Sequence, residues 1–129
     1  MTNLDNSKLR LKVINREFSI CKIKNINQVN LNDDFCFVGK TDEELSLVCL
    51  SDMLPKDYIE CDPGWTGFRI QGILDFSLVG VLSPIAKILT EKQIGIFVVS
   101  TFNTDYILVK NHNFLSSKKA LEEAGYKFE

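Results

Sequence analysis

Between Gly67 and Phe128 the spacing of apolar residues switches from two to about 3.6 and back, twice over, and this restricts the fold more than any other feature of the chain. Gly67-Phe68-Arg69-Ile70-Gln71 alternates as a strand does. Beyond Gly72, the residues Val81, Leu82, Ile85, Ile88 and Leu89 recur at helical spacing, with Lys87, Glu91 and Lys92 on the other side. Pro84 belongs in the first turn, because an interior proline costs about 3 kcal/mol whereas a first-turn N–H is unpaired anyway. The helix therefore begins somewhere from Val79 to Ser83, and Ser83 as cap with Pro84 as first helical residue is one choice within that window.

Ile94 to Ser100 carries no charge and is rich in β-branched residues, which predicts a strand covered on both faces or nearly so, the central one of its sheet. Tyr106 to Lys110 is the next strand, and the short link Phe102 to Asp105 makes the pair antiparallel. Asn111 or Asn113 caps a last helix carrying Leu115, Ala120, Leu121 and Ala124. Gly125 ends it, and Tyr126-Lys127-Phe128 closes the sheet. The order β-α-β-β-α-β is that of a ferredoxin-like α+β domain.

The first half is more polar in its connections. Leu9, Leu11 and Val13 alternate, Asn15-Arg16-Glu17 interrupts, and Phe18, Ile20 and Ile23 resume, which predicts a hairpin. Asn25 to Asp34, with four asparagines and two aspartates, reads as a loop. Phe35 to Val38 and Leu45 to Leu50 read as two further strands around a turn at Gly39 to Glu44. Pro55, Asp62, Pro63 and Gly64 then cluster as they do where one packed unit stops, so units of 1–62 and 63–129 are expected.

Composition narrows the function. At 129 residues, 45% apolar and 25% charged, the chain has globular composition, and a formal charge of -2 gives no basic excess with which to neutralise phosphates. Nucleic acid is not an expected partner. Met1 to Arg10 lacks the apolar core of a secretory signal, and no run approaches the roughly 20 apolar residues that cross a bilayer, so an intracellular protein without a membrane partner is expected. Cys21, Cys36, Cys49 and Cys61 sit singly, three of them in strand-like runs, and are expected to act as small buried hydrophobes rather than as a zinc site.

No cofactor signature occurs: neither G-x-G-x-x-G nor G-x-x-x-x-G-K-[ST] is present. His112 is the one histidine, set in a polar Asn-His-Asn connection, and no nucleophile has an evident base, so no enzyme is expected. The acidic pairs Asp33-Asp34 and Glu43-Glu44 read as solvated loop charges. Two polar clusters remain. Asp75 and Ser77 lie where the chain reaches the amino end of the first helix, whose N–H groups and dipole favour an anion. Thr101, Asn103, Thr104 and Asp105 lie at the end of the uncharged strand. Each cluster has two readings: a helix cap and a self-satisfied turn, or the two ends of a ligand site.

Gly80-Val81-Leu82 through Ile94-Gly95-Ile96 resembles the helix-to-strand core of ACT domains, small regulatory modules that bind amino acids. More specific are Gly72-Ile73-Leu74-Asp75-Phe76-Ser77-Leu78-Val79-Gly80 and Ser100-Thr101-Phe102-Asn103-Thr104-Asp105-Tyr106-Ile107-Leu108-Val109, which look like the ACT subfamily that includes the CASTOR arginine sensors and many short bacterial proteins. Thr41 to Val48 is similar to the degenerate partner unit of that subfamily, so the resemblance implies a tandem of a degenerate and a regular unit. It also implies an amino acid held at an interface between units by Asp75, Phe76, Ser77, Leu78 and Val79 together with Thr101, Asn103, Thr104 and Asp105, in a cytoplasmic homodimer. A protein-interaction module on the same scaffold, without a ligand, is the alternative.

Overall fold

A computed structural model of the chain describes residues 9–71 and 80–129. Seven strands and two α-helices follow in the order β1 (Arg10–Ile23), β2 (Cys36–Lys40), β3 (Leu45–Leu50), β4 (Tyr58–Gln71), α1 (Leu82–Glu91), β5 (Ile96–Ser100), β6 (Asp105–Lys110), α2 (Phe114–Glu123) and β7 (Lys127–Phe128). The strands share one sheet, β2-β3-β1-β4-β6-β5, with β7 paired to β1. The fold is α+β and ferredoxin-like.

The chain divides into two compact units, one of Met1–Asn15 and Thr66–Glu129, the other of Arg16–Trp65. In the first, alternation works as the sequence predicts. Phe68 and Ile70 of β4, and Ile107 and Val109 of β6, are buried against Ile85 and Leu89 of α1 and Leu121 of α2. Pro84 sits in the first turn of α1, where its missing N–H costs nothing. Gly125, at φ +100, ends α2: its N–H donates to the Glu122 carbonyl and that of Tyr126 to Leu121, a Schellman closure. Asn113 precedes α2 without a side-chain cap bond. Its carbonyl instead accepts from the hydroxyls of Ser116 and Ser117.

Three sequence expectations are corrected. Residues 10–23 form one strand and no hairpin. Asn15, Arg16 and Glu17 are exposed in mid-strand, where β1 leaves the core of the first unit and Phe18 enters that of the second; in sequence, an exposed stretch of strand looks the same as a turn. Pro63 and Gly64 do not interrupt β4, and Gly64 at φ +85 marks an irregular step of the kind a bulge makes. Lastly, β5 is the terminal strand of the sheet and not the central one. Ile96 and Val98 pack on the core of the first unit, and all four of its apolar residues are half-buried. An uncharged run reports apolar cover, which an edge strand packed on the core also has.

A further pairing joins distant ends of the sequence. Arg10 and Leu11 pair in parallel with Lys127 and Phe128, and the Glu129 N–H donates to the Leu11 carbonyl at 2.8 Å. Thus β1 takes the place beside β7, and Leu11 is fully buried with Phe68 and Leu121.

The second unit contains strands and 3₁₀ turns but no α-helix. Here β1 pairs antiparallel with β3 (Phe18↔Leu50 to Lys22↔Ser46), and β3 pairs with β2 (Cys36↔Cys49 to Lys40↔Leu45). Thr41 shapes the β2–β3 turn: its Oγ1 accepts from the N–H groups of Glu43 and Glu44. Asn25 opens the loop after β1 with a capping box to Gln28. Arg16 bridges Asp33 at 3.1 Å and Asp52 at 3.4 Å. Desolvation raises the Asp33 carboxyl, but its bonds to Arg16 and to backbone N–H groups outweigh that and hold it below the usual range.

Candidate functional site

The β5–β6 connection holds four of the residues singled out in the sequence. Ser100 pairs with Asp105 across the hairpin, leaving Thr101 to Thr104 as the link. Its two threonines close it on both sides. The Thr101 N–H and hydroxyl both donate to the Thr104 carbonyl, at 2.9 and 2.8 Å, and the Thr104 N–H returns a bond to Thr101 Oγ1 at 3.3 Å. The Thr104 hydroxyl donates to the Ile70 carbonyl at 2.6 Å, tying the turn to β4 just before Gln71. In a turn this tightly bonded, backbone direction is fixed and the remaining side chains project from a rigid base.

Asn103 is exposed, as is Phe102 at the tip, and Asp105 is half-buried at the start of β6. Among the described residues no hydrogen bond or ion pair holds the Asp105 carboxylate. Thr101 and Thr104 thus make the bonds that build the turn, and the Asp105 side chain takes no part in them. The other expected cluster, Asp75, Phe76, Ser77, Leu78 and Val79, lies outside the described residues.

Beyond that segment, Gly80 takes φ +80 with open space around it, and α1 starts after Val81 with no side-chain cap among the described residues and no acid in its first turn. At the amino end of a helix the first N–H groups have no intrahelical partner and the dipole is positive, which favours an anion. Beside the turn lies a group that the sequence reading did not single out. Arg69 of β4 donates from Nε to Gln71 Oε1 at 2.8 Å and from Nη1 to the Tyr106 hydroxyl at 3.3 Å, and its guanidinium lies 6.0 Å from the centre of the Tyr106 ring. The signal was a single arginine alternating with Phe68 and Ile70; only the β4–β6 pairing shows that it meets Tyr106.

Among the described residues no group of three or more His, Cys, Asp or Glu is placed to hold a metal ion. His112 stands exposed in the 3₁₀ turn Asn111–Asn113. No helix of the described residues is long and apolar enough to cross a membrane.

Residues 60–123 match the ACT domain family, over a segment that begins in β4 and runs to the end of α2. This segment belongs to the ACT domain family. ACT domains are regulatory and non-catalytic, and they generally bind small-molecule ligands. Among solved structures, protein Atu0741 from Agobacterium tumefaciens is 32% identical, with a TM-score of 0.85 over 95% of this chain and 92% of that one. Two others share the ACT-like fold alone. Protein VC0802 from Vibrio cholerae, described as a possible transport protein, is 16% identical at TM-score 0.70, over 91% and 90% of the two chains. The ligand-free regulatory subunit of aspartate kinase from Thermus thermophilus is 9% identical at TM-score 0.63, over 89% and 96%. No curated protein sequence matches the chain.

Proposed function

We propose that this ACT protein is a sensor for a small amino-acid-like molecule, held at an interface between ACT units in a cytoplasmic homodimer of the CASTOR-like subfamily. The tandem consists of a degenerate unit, 1–62, and a regular unit, 63–129. The observation that carries the reading is the β5–β6 turn, rigidified by Thr101 and Thr104, which leaves the Asp105 carboxylate without a partner among the described residues.

Opposite charges of an amino acid suit the two ends of such a site. Asp105 pairs with the ligand's ammonium, with Asn103 beside it, and the N–H groups around Ser77 to Val79 and the start of α1 receive its carboxylate. Asp75, Phe76 and Leu78 complete that end. A charge-assisted hydrogen bond shielded from water contributes about 1.5–3 kcal/mol. The family match, 60–123, contains both segments.

Thermal-shift screening of the purified protein against the common amino acids is the test. One of them raises the melting temperature, and Asp105→Ala abolishes that rise while the unliganded melting temperature stays close to that of the parent. If no amino acid or related metabolite stabilises the protein, or if Asp105→Ala responds as the parent does, the site is wrong. A ligand-independent interaction module is the second reading, favoured by Phe102, 83% exposed at the tip of the same turn. One partner retained in pull-downs regardless of added metabolites would select it.

A further inference from the structure

Four cysteines that stand far apart in sequence come together in the unit Arg16–Trp65. Cys36 lies in β2, Cys49 in β3, Cys21 in β1 and Cys61 in β4, one in each of four successive strands of the sheet. Cys36 and Cys49 are paired residues of the β2–β3 hairpin, and all four belong to one cluster, filled out by Ile23, Leu47, Val29, Leu45 and Leu54. They are free thiols. A row across strands does not converge on one point as four ligands of a tetrahedral metal must. What the row offers is pairs.

The Sγ atoms of Cys21 and Cys61 lie 3.3 Å apart. A disulfide is about 2.05 Å long, so roughly 1.2 Å of closure joins them. Neighbouring strands run about 4.8 Å apart, inside the window of about 4.4–6.8 Å that disulfides span between Cα atoms. The two thiols differ in access: Cys21 is 3% exposed, whereas Cys61 is half-buried. Burial, and then the neighbouring thiols of Cys61 and Cys49, push the Cys21 thiol well up, so it stays protonated at neutral pH. Cys49 is likewise pushed up to about 11, first by burial. Neither is stabilised as a thiolate, so the reduced form has no charge stabilisation to lose on oxidation.

We propose that Cys21 and Cys61 are a reversible oxidation site that closes as a disulfide between β1 and β4 under a peroxide or a low-molecular-weight disulfide. With peroxide, the Cys61 sulfur attacks one oxygen, the O–O bond breaks, and the leaving hydroxide takes the Cys61 thiol proton to become water, giving a sulfenic acid at Cys61. The Cys21 sulfur then attacks the Cys61 sulfur, and the S–O bond breaks. The departing hydroxide takes the Cys21 proton as a second water. Two thiols have lost two electrons, and one peroxide has been reduced to two waters.

Trypsin separates the four cysteines, because Arg16, Lys22, Lys24, Lys40, Lys56 and Arg69 place each in its own peptide: 17–22, 25–40, 41–56 and 57–69. The full-length protein is reduced, freed of reductant, treated with one equivalent of hydrogen peroxide, and digested without reductant for mass spectrometry. Peptides 17–22 and 57–69 appear linked, less two hydrogens, and dithiothreitol separates them. The oxidised protein melts several degrees above the reduced one, since the bond closes a long loop of the unfolded chain. Cys61→Ser leaves peptide 17–22 with a free thiol under the same treatment. A link between 41–56 and either 17–22 or 25–40 in the parent protein would falsify the assignment, as would four free thiols or a lower melting temperature on oxidation.

Discussion

Gln93 sits at φ +59, the one positive φ among the described non-glycine residues. It follows α1 in the place that Gly125 holds after α2: its N–H donates to the Thr90 carbonyl at 2.9 Å, and that of Ile94 to Leu89 at 3.0 Å. The same Schellman closure is thus made once with glycine and once without. A side chain in the left-handed region costs about 1–2 kcal/mol, and glycine returns part of that in lost backbone entropy. Gln93→Gly should therefore stabilise the protein by roughly 0.5–1 kcal/mol, read as a higher urea midpoint at unchanged slope. An unchanged or lower midpoint would show that the Gln93 side chain makes a contact worth more than the strain. Nothing in the sequence marks this position, since glutamine there looks like the end of an ordinary polar helix face.

At the level of elements, the legible parts were those whose signal is local. The period switch located α1, and the position of Pro84 confined its start to a window of a few residues; the β5–β6 hairpin and the stop at Gly125 were equally plain. Illegible were features that need a partner distant in sequence. The joining of β1 to β7 sets Leu11 against Phe128 with no local mark at either end. The meeting of Arg69 with Tyr106 and the row of cysteines both depend on which strand lies beside which. In the candidate site, the polar character of Thr101 to Asp105 could be read, but the division of labour within it could not. Thr104 shows that division most clearly, because its hydroxyl is committed to the Ile70 carbonyl. Thr104→Val keeps the shape and removes the donor, leaving the carbonyl of buried Ile70 short of a partner. It should cost about 1–2 kcal/mol in denaturant unfolding. A neutral result would mean that water or a ladder bond already satisfies Ile70.

For the molecule as a whole, β1 and β4 decide what can fold. Each is 14 residues long and contributes to both compact units. The segment that matches the ACT family spans residues 60–123, yet the core that it builds includes Leu9 and Leu11, and β7, which follows it, has its backbone partner in β1. A fragment of residues 63–129 would thus expose Phe68, Leu121 and Phe128 where Leu11 covers them, and would leave β7 without the strand that it pairs with. Burial of one leucine is worth about 1.5–3 kcal/mol, against a total stability for a domain of about 5–15 kcal/mol. Losing Leu9, Leu11 and the β7 pairing together removes a large part of that margin. The fragment should keep helical far-UV circular dichroism but lose its near-UV signal and its sharp thermal transition. Restoring residues 9–15, even as a separate peptide in excess, should recover part of the transition by mass action. If residues 63–129 melted alone as sharply and as high as the full chain, the family segment would be a folding unit in its own right and β1 merely an accessory to it.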